Sequence, residues 1–87
     1  DGQDPAAAMA RAQADPADVQ AAVLAADLEM LSGATKAAFQ RLITAVTLTD
    51  GAERSQVRDH LLGLFEIVGP DDPDVAKARS ALASALF

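Results

Sequence analysis

VQAAVLAADLEMLSGATKAAFQRLITAVTLTD, residues 19–50, holds two runs of helical apolar period on either side of one glycine. In the first run Val19, Val23, Ala26 and Met30 make one stripe, and Leu24, Leu28 and Leu31 make an adjoining one. A stripe that wide is expected to be buried against two neighbours. Gly33 ends the run, because glycine takes the left-handed conformation at little steric cost. The second run spans about Thr35 to Leu48. Ala38, Leu42, Ala45 and Thr49 form one line along it, and Phe39, Ile43 and Val46 the line beside it.

The same grammar continues on both sides. Asp4-Pro5 is a helix start: Asp accepts bonds from the free N–H groups of a first turn, and Pro at the first helical position has no N–H to leave unpaired. The helix to about Ala14 is nearly all alanine, with Met9 its one large apolar side chain. Asp15-Pro16 repeats the signal, with Asp18 placed to assist the cap, and sets the next helix at Pro16 to about Leu31. Asp50-Gly51 is a turn. A further helix from about Ala52 to Val68 carries Val57, Leu61, Leu64, Phe65 and Val68, and Gly69-Pro70 stops it. Asp71-Asp72-Pro73-Asp74 opens the last helix, with Val75, Ala78, Leu82, Ala85 and Leu86 facing inward. No segment alternates with period two, so no strands are expected. The loops are short, so successive helices should pack antiparallel. The organisation read from this is the leading helix of an incomplete hairpin in residues 1–14 and a four-helix domain in residues 15–87.

Composition bounds the function. Of 87 residues 51% are apolar, with three Phe and no Trp or Tyr, so the core must be built from Leu, Ile, Val and closely spaced Ala. A net charge of −6 disfavours nucleic acid and anionic membrane surfaces, both of which need clustered Lys and Arg. No apolar run approaches transmembrane length, and no basic segment followed by an apolar one suggests a signal peptide. The lack of cysteine excludes disulfides, thiol nucleophiles and Cys-based metal sites within the chain, and fits a reducing, cytoplasmic setting. The opening Asp1-Gly2-Gln3, without an initiator Met, is expected of a piece of a longer protein.

Val19 to Asp50 resembles a tetratricopeptide repeat. That motif needs small side chains where two helices cross closely, here Ala26, Ala38 and Ala45, with Gly33 at the inter-helix turn and Leu42 at the larger apolar position. Ala22, Glu29 and Asp50 depart from it, standing where an aromatic, an apolar or aromatic residue, and a Pro are common. The pair from Ala52 to Phe87 matches poorly and reads as a divergent closing hairpin. The expected fold is therefore all-α, with antiparallel helical hairpins stacked as a short, right-handed tetratricopeptide-like array.

A second resemblance lies further on. Arg58, Leu61-Leu62, Leu64-Phe65-Glu66 and Gly69-Pro70-Asp71-Asp72-Pro73 are followed by Val75, Arg79 and the closing LASALF, Leu82 to Phe87. This string resembles the C-terminal end of bacterial thioredoxin-like co-chaperones of the YbbN (CnoX) type. The resemblance implies a holdase and co-chaperone domain, with unfolded clients and a chaperonin or DnaK-type chaperone as partners. Redox chemistry in that family belongs to a thioredoxin domain, so no redox residue, cofactor or catalytic role carries over to this chain.

Each candidate site also suits a plainer role. On the tetratricopeptide register the binding groove would be lined by Gln20, Val23, Asp27, Met30 and Leu31, while Val23, Met30 and Leu31 suit an ordinary core equally well. Leu82, Leu86 and Phe87 form a candidate docking end; Leu82 suits packing, and Phe87 suits either role. Asp71, Asp72 and Asp74 suit helix capping far better than a cation, since they lack an EF-hand's spacing. His60 has no partner nucleophile and reads as a boundary residue. Asp27 and Glu29, two apart on one helix, point to different faces. Arg54 and Arg58 read as a solvated face balancing Glu53 and Asp59, or as a holder of an acidic segment. The expectation is a non-catalytic protein-interaction domain. Its rival is a structural domain that dimerises or positions a thioredoxin-fold oxidoreductase.

Overall fold

The computed structural model describes residues 4–87 and contains five helices: α1 (Pro5–Ala14), α2 (Val19–Leu31), α3 (Thr35–Leu48), α4 (Gly51–Val68) and α5 (Pro73–Leu86). Among the described residues there is no strand. Asp1-Gly2-Gln3, the reading of a cut chain end, lies outside them.

The boundaries follow from local hydrogen bonding. Asp4 and Asp72 cap α1 and α5, each with Pro as the next residue and a carboxylate oxygen accepting from the N–H two residues on, at 3.0 and 2.8 Å. The third Asp-Pro behaves differently. Asp15 accepts from the N–H of Ala17 at 3.0 Å and closes a turn, and α2 begins at Val19, not Pro16, with Asp18 accepting from the N–H of Ala21 at 3.1 Å. Two acceptors stand three residues apart, and the later one makes the cap while the earlier one reverses the chain out of α1. At the far end of α2, Gly33 takes φ +84°. The N–H of Ala34 then reaches the carbonyl of Glu29 at 2.8 Å, and that of Gly33 reaches Met30 at 3.1 Å, which closes the helix.

Cross-helix pairs fix the directions. Glu29 meets Arg41 across the short α2–α3 connection, and Phe39–Phe65 together with Val46–Arg54 set α3 and α4 antiparallel. Helix α5 runs alongside α3, with Lys36, Phe39 and Ile43 bordering one groove with Asp74, Ala78 and Ala81, and meets α4 through Phe65 and Arg79. It follows that α2 and α4 run parallel to one another, as do α3 and α5. Helix α3 is central, packing on α2, α4 and α5, while α1 rests chiefly on α2 and α2 also touches α4. The result is a slab 37 × 29 × 16 Å, with α2 and α4 on one face and α3 and α5 on the other.

The main core runs through α2 to α5, and its largest fully buried side chains are Phe65, Leu42, Leu61, Val46, Val57 and Val75. Burial of each is worth roughly 1.5–3 kcal/mol. None of these six lies on α2. There the buried positions are Val19, Ala21, Ala22, Ala25 and Ala26, whereas Leu24 and Leu28 are half-buried and Leu31 is 85% exposed. The two-neighbour burial expected of α2 is present, but alanine makes it: Ala22 and Ala26 join the main core, and Ala21 and Ala25 join Ala12 and Met9 in a satellite under α1. Ala26, Ala38, Leu42 and Ala45, the positions on which the repeat reading rests, are all fully buried.

Candidate functional site

The parallel helices α2 and α4 form one face of the slab, and the expected groove falls on it. Of the five residues expected to line it, Gln20 is exposed, and Val23 and Met30 are half-buried and lean on the core. Asp27 is half-buried, and Leu31 projects into solvent. By helical phase they occupy the α4-facing and outward quarter of α2.

From the facing helix His60 reaches across, its Nε2 2.8 Å from Oδ1 of Asp27. This bond joins α2 to α4 and makes His60 part of the face, where sequence alone gives it only a boundary position. The usable signal was separation: Asp27 and His60 lie 33 residues apart, about one tetratricopeptide period of 34. They are thus near-equivalent positions of successive repeats. Beyond the bridge, α4 exposes Ile67 (77%), which stands with Leu31 toward the C-terminal ends of the two parallel helices. The face therefore offers two projecting apolar side chains, a half-buried apolar shoulder at Val23 and Met30, and one polar bridge.

Glu29 points to the other side of α2, as its two-residue offset from Asp27 requires. Arg41 of α3 donates to both its oxygens, at 2.8 and 3.2 Å. The hydrogen bond to Glu29 raises the pKa of the Arg41 guanidinium, partial burial opposes the rise, and the Glu29 charge adds to it. A raised folded-state value places this contribution to stability below the unfolded-state pKa of arginine, so it is undiminished throughout neutral pH. A carboxylate at a motif position that favours an apolar side chain is thus matched by a partner on the helix it crosses. At Ala22, where an aromatic is common, an open crevice of about 360 Å³ lies between α1 and α3, with Arg41 and Glu29 in its wall.

Other candidate residues are dispersed. Leu82 is buried, Leu86 is half-buried against the core, and Phe87 is fully exposed, so the three do not form one surface. Asp72 caps α5, and among the described residues no three His, Asp or Glu side chains converge. Arg58 pairs with Asp59 at 3.1 Å, which fits the solvated-face reading. Arg54 does not fit it. Its Nε donates to the carbonyls of Val46 and Thr49, at 3.1 and 2.8 Å, closing the C-terminus of α3 from the first turn of α4.

These features define a helical-repeat domain that offers a face for binding. A family model for the tetratricopeptide repeat matches residues 1–87, and the chain belongs to that family. Uncharacterized proteins of Mycobacterium bovis and of two strains of Mycobacterium tuberculosis are 47% identical to it over 70 residues. The match covers 80% of this chain and 23% of each relative, so the chain spans less than a quarter of their length. No solved structure matches it significantly. Among the described residues no helix is long and apolar enough to cross a membrane.

Proposed function

We propose that this tetratricopeptide domain is the client-recognition part of a cytoplasmic thioredoxin-like co-chaperone, holding unfolded segments on the α2–α4 face for a chaperonin or a DnaK-type chaperone. The observation that carries the reading is the pair Leu31 and Ile67, large apolar side chains left in solvent at 85% and 77% on adjacent parallel helices. Unfolded proteins expose apolar side chains without a fixed shape, and an open face with a few projecting apolar contacts suits them. The resemblance of Arg58 to Phe87 to thioredoxin-like co-chaperones supplies the class. The greater length of the mycobacterial relatives is compatible with a further domain beside this one.

The test is the ability of the 87-residue chain to slow aggregation of a thermally unfolding client. The wild type should delay it, and the double variant Leu31→Glu with Ile67→Glu should lose most of the delay while keeping its helical circular dichroism. Protection that survives the double variant would remove the α2–α4 face from the account. A chain that protects nothing, binds no chaperone and forms a tight dimer through this face would favour the structural, positioning role.

A further inference from the structure

The opposite face of the slab carries a second groove, between the parallel helices α3 and α5. Phe39, Ile43, Ala78 and Ala81 line its apolar part, and Gln40, Lys36, Lys77 and Asp74 line its polar part. Lys36 and Lys77 are the two lysines of the entire chain. Both border this groove, and no carboxylate stands within 4.0 Å of either ammonium among the described residues. Asp74 has a local reason to be there: it lies in the first turn of α5, where a carboxylate is favoured by the free N–H groups. The groove border is thus net positive in a chain of net charge −6. The cavity measures about 300 Å³, at the bottom of the range for small-molecule sites, and suits one or two side chains.

We propose that the α3–α5 groove docks an acidic peptide segment of a partner protein. One apolar side chain of the peptide seats beside Phe39, Ile43 and Ala78, and flanking carboxylates pair with Lys36 and Lys77. Charge complementarity selects this occupant: carboxylates pair with the two ammonium groups, a basic peptide is repelled by them, and a neutral one offers only carbonyl oxygens. The surface is distinct from the α2–α4 face and does not depend on how that face is used.

The experiment is a titration of the ¹⁵N-labelled 87-residue chain, at low salt, with a short peptide carrying one phenylalanine among glutamates. Saturable shifts are expected at Gln40, Ile43, Ala78 and Ala81, weakening as salt is added. The same peptide with lysines for glutamates should produce none. Lys36→Glu with Lys77→Glu should weaken binding about ten-fold or more. Ala81→Trp, at an exposed position, fills the groove, leaves both lysines in place, and should also abolish the shifts. Absence of binding at millimolar peptide would overturn the proposal. So would shifts confined to α2 and α4, shifts indifferent to both variants, or a self-association that covers α3 and α5.

Discussion

In the α2–α3 hairpin the crossing is lined by alanine, with Ala22, Ala26, Ala38 and Ala45 buried to within 1%. In the α4–α5 pair Val57, Leu61, Leu64 and Phe65 of α4 and Val75 and Leu82 of α5 enter one core with α3, and the two backbones approach α3 more closely than they approach each other. Phe65 is the wedge. It meets Phe39 edge-on with ring centroids 5.0 Å apart, and the Arg79 guanidinium lies 5.4 Å from its ring. One hairpin is held by backbone proximity, the other by side-chain bulk. The first should therefore be sensitive to added volume and the second to lost volume.

The largest expected effect lies in the second hairpin. Phe65→Ala should cost about 3–5 kcal/mol by urea denaturation, because nothing nearby can collapse into a site bounded by three helices. For a domain this small, that is a large share of the total stability. Added volume tests the first hairpin. Ala26→Leu should cost about 1–3 kcal/mol through forced separation of α2 and α3. Leucine at Ala78 should cost less, because that position borders the open α3–α5 groove. Equal costs at Ala26 and Ala78 would break the comparison. The smallest effect concerns how the first hairpin begins. Asp18→Ala should cost about 1 kcal/mol as the loss of a cap. Asp15→Ala, at an exposed turn, should stay within about 0.5 kcal/mol.

Much of this was legible in the sequence, and the exceptions share a cause. The lines read along α3, α4 and α5 are buried or half-buried, while Leu48 of α3 and Leu62 and Ile67 of α4, which lie off those lines, are exposed. On α2 the leucines drew attention to a face that is only partly covered, since close crossings bury the smallest side chains. Asp15-Pro16 has the pattern of a helix start without being one, because local pattern cannot rank two acceptors three residues apart; where the chain must turn decides between them. Arg54 and His60 were opaque for a related reason. Each bonds to a group on another helix, Arg54 to the carbonyls that end α3 and His60 to a carboxylate 33 residues away. Only the repeat period hints at the second pairing, and nothing local hints at the first.

The α2–α4 face is the centre of the functional account, and a chemical-shift titration with a permanently unfolded client examines it most directly. The account predicts that Val23, Asp27, Met30, Leu31, His60 and Ile67 respond together and that Leu31→Glu with Ile67→Glu silences them. Responses confined to Phe87 and the end of α5, or no response in a domain that remains folded, would contradict it.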